Sequence, residues 1–463
     1  MGAPIRCGNL KWDVGRSPNV SRYSRMKGSL VISNSHQKVV VVGQGYVGLP
    51  VAEAAVAAGH RVVGFDIDSD KVARINDGVS PIEDVDDAAL AQMLASGRYR
   101  ASGDHADLRG FDLALITVPT PLADGRPDLS AVRSAARLVS PYVSPGCTVV
   151  LESTVAPGTT AGVFTQEIEQ GAGALTAAGG DFHIGFSPER IDPGNRRWRF
   201  GNTPKLVSGT TEAGCAAVAA FYRSICDVVV PCSSTDVAEM AKLLENTYRH
   251  VNIALVNEMG RHAHQLGIPI WDVVEAAATK PYGFQAFFPG PGVGGHCLPV
   301  DPVYLADRVE SEVGRPFDFV DLAMRVNDEQ PDYVVDRAMH LLNGRKRSVN
   351  GASVLVLGIA YKANTGDMRE TPAVRIVDRL RELGAAVSVC DPYTSPAPGR
   401  STERWPDVKV EYPSDVATGA ARADLTILVT DHDSLPYDDI ARSATMILDT
   451  RNRFVAAGNV HRL

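Results

Sequence analysis

The run Lys38-Val-Val-Val-Val42, apolar and β-branched, breaks directly into Gly43-Gln-Gly45-Tyr-Val-Gly48, and this junction constrains the fold more than any other stretch. A continuous apolar run ending in glycine reads as a parallel strand buried on both faces. Glycines at this spacing permit a tight turn, close approach of the backbone to a pyrophosphate, and close packing of the next helix, whose N-terminus faces the anion. A second strand-like run, Arg61 to Ile67, carries Asp66 where a carboxylate would accept ribose hydroxyls and repel a 2′-phosphate. The expected cofactor is therefore NAD rather than NADP.

Further strand-like runs at 112–118 and 148–151 alternate with Ala-rich helical stretches at 49–58 and 129–139, the βαβ rhythm of a doubly wound sheet. The outline repeats near the end of the chain, where Ser353-Val-Leu-Val-Leu-Gly358, residues 386–391 and residues 424–430 parallel the first three strands. Between the two halves, 235–266 lacks proline and has glycine only at Gly260. With Thr235 as cap candidate, Glu239 downstream and Gly267 at its close, it predicts one helix of about 48 Å, too long for a small α/β domain. Such a helix should bridge domains or form a dimer interface. The expected fold is α/β: two Rossmann-like doubly wound domains, at 37–232 and 336–463, joined by a helical central domain at 233–335. Residues 1–36 should be a disordered basic tail, or a product of start-site choice with Met26 as an alternative start. A length of 463 residues suits this division.

A net charge of −8 leaves no positive field to gather nucleic acid or an anionic membrane. The uncharged runs Val39–Ala52 and Pro281–Val300 fail as spanning helices, the first too short and the second broken by glycine and proline. Seven cysteines, odd in number and without a CxxC pair, read as reduced thiols of a cytoplasmic protein and suggest no metal site.

Chemistry concentrates in Phe288-Pro-Gly-Pro-Gly-Val-Gly-Gly-His-Cys-Leu-Pro-Val-Asp301. Cys297 is framed by glycines, and Asp301 would share its face if a helix starts there. A reactive thiol and an inert buried one both fit that spacing. Lys242 and Asn246 lie one helical turn apart, so they could hold a developing oxyanion or belong to a solvated stripe with Glu239 and Arg249. Glu152 and Glu189 each follow an apolar run that should end at the cofactor rim. Gly358-Ile-Ala-Tyr-Lys362 puts a cation where a third glycine would stand, which points to a second nucleotide held by charge pairing, hence a nucleotide-linked substrate.

From about residue 37 onward the chain resembles the UDP-glucose/GDP-mannose dehydrogenase family of nucleotide-sugar 6-dehydrogenases. The resemblance rests on GQGYVG at 43–48, VPTP at 118–121, SPER at 187–190, AKLLEN at 241–246, GVGGHCLPVD at 292–301, and GIAYK with GDMRE at 358–370. It implies a four-electron oxidation of a sugar C6 alcohol to a carboxylate with two NAD⁺ reduced in turn. Cys297 then corresponds to the nucleophile: an aldehyde has no hydride to give until a thiolate adds to it, and oxidation of the thiohemiacetal yields a thioester. Lys242 and Asn246 match the oxyanion pair, Asp301 the acid that handles protons with an ordered water, and Thr120 the residue that positions that water. Lys242, helped by a helix beginning after Gly295, is the expected cation beside the thiolate.

The resemblance further implies a cofactor site of Gly43, Gly45, Tyr46, Val47, Gly48, Asp66, Lys71 and Thr120. It implies a UDP-sugar site of Arg190, Lys242, Asn246, Gly294, Gly295, Lys362 and Arg451. Arg369 fits either a substrate contact or a structural network with Asp367 and Glu370. Glu189 matches the first of two glutamates that many UDP-glucose enzymes carry, but the second position is Pro193, so Glu152 or the water at Asp301 would serve as hydrolytic base instead. Glu-Ser-Thr with Pro-Gly-Thr-Thr, and Pro-Glu-Arg-Ile-Asp-Pro-Gly, look more like the branch acting on UDP-N-acetylhexosamines. The expected substrate is UDP-GlcNAc, UDP-GalNAc or UDP-ManNAc. The alternatives are a UDP-glucose or GDP-mannose enzyme, or a one-step NAD-dependent β-hydroxyacid dehydrogenase. A homodimer or higher homo-oligomer built on the long helix, and a place in capsule or surface-polysaccharide synthesis, complete the implied picture.

Overall fold

A computed structural model describes residues 36–82, 84–192, 195, 197–393, 405, 408–411 and 414–463. The tail expected over 1–36 lies, apart from its last residue, outside the described residues, as does Pro193.

Among the described residues, eight strands form the first sheet: β1 (Lys38–Val42), β2 (Arg61–Phe65), β3 (Tyr99–Ser102), β4 (Leu113–Ile116), β5 (Thr148–Leu151), β6 (His183–Phe186), β7 (Lys205–Gly209) and β8 (Val229–Pro231). Their order is β8-β7-β6-β5-β4-β1-β2-β3. Strands β1 to β6 are parallel, whereas β7 runs antiparallel to β6 and carries β8 parallel to itself. The valines of β1 alternate between two cores, Val39 and Val41 on one face, Val40 and Val42 on the other. Each such burial contributes roughly 1.5–3 kcal/mol, which accounts for an apolar run without polar alternation. Helices α1 (Gly48–Ala57) and α2 (Glu212–Ile225) share the first of these faces.

The long helix α3 spans Thr235–Gln265. Its cap is Ser234, whose Oγ accepts the amide of Val237 at 3.2 Å, so the expected cap Thr235 is instead the first helical residue and is buried. A shorter α4 (Ile270–Ala278) precedes the glycine-rich loop, which leads into α5 (Asp301–Val313), α6 (Asp318–Asp328) and α7 (Gln330–Gly344). Arg261 of α3 ties this layer together, donating to Gln330 Oε1 at 2.8 Å and the carbonyl of Val326 at 2.7 Å.

The second sheet holds β9 (Ser353–Leu357), β10 (Ala386–Cys390), β11 (Lys409–Val410), β12 (Leu425–Leu428), β13 (Ile447–Asp449) and β14 (Val460–Arg462), all parallel, in the order β11-β10-β9-β12-β13-β14. Val334, Val335, Ala338 and Leu342 of α7 share a core with Val354 and Val356 of β9 and with Ile376, Val377 and Leu380 of α8 (Pro372–Glu382). Helix α7 thus packs as part of the second nucleotide-sized unit, and the division expected between 335 and 336 falls inside a continuous helix.

Candidate active site

The dinucleotide end is built as the glycine spacing requires. A Cβ at Gly48 would lie 1.8 Å from the carbonyl of Gly43, so only glycine lets α1 start there. A Cβ at Gly45 would meet nothing within 4 Å, which leaves open surface beside a helix start, at Val47, that has no capping side chain and no acid in its first turn. A helix start with open space beside it suits a pyrophosphate. Gln44, fully buried, braces the turn by donating to the carbonyl of Val41 at 2.9 Å and accepting from the Tyr99 hydroxyl at 2.7 Å. At the end of β2, Asp66 Oδ2 accepts the amide of Gln44 and the ammonium of Lys71, each at 2.9 Å, and Oδ1 accepts the amide of Asp68 at 3.0 Å. These residues fit NAD. Across the cleft, the Arg369 guanidinium lies 5.3 Å from the ring centre of Tyr46 and is held bidentately by Asp367.

Cys297 is exposed, and its carbonyl accepts the amides of Val300 at 3.2 Å and Asp301 at 2.8 Å. It therefore sits one turn before α5, which begins at Asp301 rather than just after Gly295. Burial by the surrounding protein nonetheless pushes its thiol above the ordinary value. The charges of Asp301 and Glu189 push the same way, and Lys242 and Arg369 offset them only in part. The pull of Lys242 toward a thiolate is thus present but outweighed, and the Cys297 thiol holds its proton more tightly than an ordinary cysteine.

Lys242 and Asn246 are not part of a solvated stripe. Lys242 is buried, and the Asn246 amide donates to the Asp301 carboxylate. Glu239, read as a possible surface residue, is fully buried and accepts the amides of Gly158 and Thr160, each at 2.8 Å. Burial pushes Asp301 up to about 6, against the pull of Lys242 and the Asn246 hydrogen bond. Thr120, also buried, precedes Pro121, whose carbonyl accepts the hydroxyl of Tyr304 on α5 at 3.3 Å.

The two glutamates meet through a residue that motif reading passed over. Lys205 Nζ lies 2.9 Å from Glu152 Oε2 and 3.2 Å from Glu189 Oε2, and the Tyr222 hydroxyl donates to Glu152 Oε1. Burial pulls the proton affinity of Lys205 down, but the two carboxylates outweigh it and hold the ammonium well above the ordinary lysine value. Glu152 has no exposed surface and both its oxygens are engaged, so it cannot meet an aldehyde or a water in the cleft. That corrects its expected role as hydrolytic base. Lys205 opens an apolar strand in Thr-Pro-Lys-Leu-Val-Ser-Gly. That signal is legible only once β7 is known to run backwards, which brings its first residue to the edge where Glu152 and Glu189 emerge.

The expected substrate residues are each engaged with other parts of the chain. Arg190 donates to Glu245 of α3 at 2.7 and 3.1 Å and to the carbonyl of Pro204 at 2.6 Å. Lys362 pairs with Asp192 across the domain boundary. A Cβ at Gly295, where φ is +87°, would fall 2.7 Å from the Tyr361 ring, and one at Gly294 would fall 2.6 Å from the carbonyl of Glu370. Both glycines thus let the cysteine loop lie against the second sheet's domain. Arg451 Nη1 lies 3.0 Å from the Cβ position of Gly290, and its Nε donates to the carbonyl of Val429 at 2.8 Å.

Comparison with known proteins agrees with this arrangement. Residues 37–226, 236–329 and 355–456 match, respectively, the NAD binding, central and UDP binding domains of one family. The chain is 33% identical over 421 residues to a UDP-N-acetyl-D-mannosamine dehydrogenase of Pyrococcus horikoshii, covering 90% of this chain and 95% of that one. It is 37% identical over 360 residues to a UDP-N-acetyl-D-glucosamine 6-dehydrogenase of Pseudomonas aeruginosa, covering 77% and 83%. A solved structure of the UDP-D-ManNAc dehydrogenase of Pyrococcus horikoshii superposes with a TM-score of 0.81 at 33% identity, covering 92% of this chain and 98% of that chain. A glycine turn built for NAD, an exposed cysteine beside a buried lysine, and three matched domains in order place this NAD-dependent oxidoreductase in the UDP-glucose/GDP-mannose dehydrogenase family.

Proposed function

We propose that the chain oxidises the C6 alcohol of a UDP-N-acetylhexosamine to the uronate in two NAD-dependent steps, with Cys297 tethering the carbon between them. The observation that carries this reading is Cys297, an exposed residue whose thiol lies among the charges of Lys242, Asp301 and Glu189. The N-acetylhexosamine is supported by the substrates in the names of the relatives from Pyrococcus and Pseudomonas.

NAD, held along the Gly43–Gly48 turn with Asp66 at its ribose, supplies the hydride acceptor for both steps. Asp301 takes the proton of the C6 hydroxyl as the alcohol becomes an aldehyde. Lys242 and Asn246 steady the oxygen that gains charge, in a buried setting where such contacts weigh most. The Cys297 sulfur then bonds to C6 as its proton passes to the aldehyde oxygen, and the thiohemiacetal gives up that hydroxyl proton to Asp301, which has released the first to solvent, and a second hydride, becoming a thioester. In the last step a water oxygen bonds to C6, the C6–S bond breaks, and the water's proton passes to Glu189. Arg190, Lys362 and Arg451 are the cations proposed to receive the diphosphate and uridine once Glu245 and Asp192 yield them.

A homodimer through α3 belongs to the same proposal. Val237, Met240, Leu244, Tyr248, Leu255 and Met259 recur at helical spacing along one stripe and are exposed, an apolar surface of the kind a second copy would cover.

The test is an NADH count per sugar across a panel of UDP-hexoses and UDP-N-acetylhexosamines. Two NADH per UDP-N-acetylhexosamine are expected. Cys297→Ser should keep NAD binding and lose turnover by at least about 10³-fold. One NADH per sugar, or uronate formed undiminished by Cys297→Ser, would overturn the reading.

A further inference from the structure

We propose that Lys205 is a positioning residue for Glu189, with Glu152 and Tyr222 as the buried counterweight that sets how strongly Lys205 grips it. The inference rests on the reading of Glu189 as the base that receives the water's proton in thioester hydrolysis.

The geometry supports it at each contact. Strand β7 pairs antiparallel with β6 in a register that sets Phe186 opposite Ser208, and continuing that register sets Glu189 opposite Lys205. The ammonium reaches both carboxylates, at 3.2 Å from Glu189 and 2.9 Å from Glu152, with the Phe200 and Tyr222 rings 5.2 and 5.1 Å away. Lys205 is 4% exposed and Glu152 not at all, so water does little to screen the pairing. On its own loop, Glu189 Oε1 accepts the amides of Arg190 at 2.6 Å and of Ile191, which leaves Oε2 the oxygen that meets Lys205.

Two acids share one cation, and of the two only Glu189 keeps any exposed surface, 13% of its side chain. Glu152 therefore competes with Glu189 for Lys205, and its own proton affinity is raised chiefly by burial, against Lys205 and with the like charge of Glu189. Among the described residues, Cys226, just past α2, and Cys297 also feel the charge of Glu189. The Arg190 guanidinium is turned away to Glu245. The arrangement holds Glu189 in place while part of the cation's field is spent on Glu152.

Removing the cation and removing its competitor should have opposite effects, which a merely structural cluster would not produce. In Lys205→Met, Glu189 faces Glu152 without a cation and takes up a proton more readily. The acid limb of the rate at which the acyl adduct on Cys297 hydrolyses, a step that does not use Asp301, should then move to higher pH by about one pH unit or more. In Glu152→Gln, Lys205 serves Glu189 alone and the limb should move to lower pH. Lys205→Arg keeps the charge and should leave the limb near its wild-type position with a lower plateau. KM for the UDP-sugar and for NAD should stay within about twofold throughout.

The full-length variants are assayed for two-NADH turnover of a UDP-N-acetylhexosamine, and quenched samples are weighed intact for the acyl adduct on Cys297. Opposite shifts support the proposal, and coincident or same-direction shifts overturn it. Should Lys205→Met fail to fold, Glu152→Gln decides alone: a limb moved down supports the proposal, and an unmoved limb sinks it. Glu189→Gln tests the underlying reading separately. If it turns over without trapping the adduct, Glu189 is not the base, and the proposal fails for that reason.

Discussion

Asn246 on α3 donates its amide to the Asp301 carboxylate at the start of α5, joining the long helix to the element that begins one turn after Cys297. The contact holds a charge in a place that disfavours charge: Asp301 is 3% exposed, and burial lifts its carboxyl from 3.8 to about 6.

That lift predicts a stability cost. The folded protein keeps the Asp301 proton up to about pH 6, whereas the unfolded chain gives it up near 3.8. Stability therefore declines as pH rises between those values and stays lowered above them, by about 3 kcal/mol for a shift of this size. Asp301→Asn should raise the melting temperature at pH 7.5 by a few degrees, with the gain shrinking toward pH 4, while turnover is lost. Melting curves of both proteins across this range check it. A variant that melts lower than wild type at pH 7.5 would show that Asp301 is a net support of the fold.

The resting thiol gives a second prediction. Because burial and Asp301 hold Cys297 above the ordinary range and Lys242 pulls it down, alkylation by iodoacetamide should still be accelerating between pH 7 and 9. Asp301→Asn removes an acid that opposes the thiolate and should speed alkylation at pH 8. Lys242→Met removes a cation that favours it and should slow alkylation. Peptide mapping of Cys297 reads both rates, and a plateau already reached by pH 7 would mean the thiolate is preformed.

Cofactor choice rests on Asp66 and its neighbour. Asp66 binds Lys71 at 2.9 Å, so the carboxylate both presents itself to the ribose and occupies the nearest ammonium. Asp66→Ala should weaken NAD and free Lys71 for a 2′-phosphate, narrowing the preference for NAD over NADP by about tenfold or more, which is about 1.4 kcal/mol. Steady-state KM values for both dinucleotides test this. An unchanged ratio would move the discrimination elsewhere in the pocket.

The strands and the glycine turn were legible because their signal is local: Val39 to Val42 fill two cores by their own alternation, and Gly48 is required by an atom five residues away. Cys297, Lys242, Asn246 and Asp301 could be picked out by residue type and spacing, but their charge states could not, since these depend on what packs around them. Lys205 escaped notice because its neighbours are set by the reversed direction of β7, which no periodicity in the strand reports. Glu239 was ambiguous for a related reason: helical spacing says which residues share a face and not what covers that face. Lys362 carries its charge where expected, yet its partner Asp192 belongs to a different domain.

Glu239 offers the test of how α3 is fastened to the first domain. Its carboxylate accepts the amides of Gly158 and Thr160 from the segment after β5, and it is fully enclosed. Burial pushes its proton affinity up while those hydrogen bonds pull it down, so the contact depends on the amides staying in place. Glu239→Ala would leave both amides without acceptors inside the protein, at about 1–3 kcal/mol each. Glu239→Gln keeps one carbonyl oxygen and should lose roughly half as much. Helix α3 also carries Lys242 one turn further on, so loosening this end should lower kcat more than it raises KM for NAD, whose turn lies on the other side of the sheet's centre at β1. Thermal melts and steady-state kinetics of the two variants measure both effects. A melting temperature unmoved by Glu239→Ala would show that the apolar packing of α3, and not this carboxylate, holds the helix against the first domain.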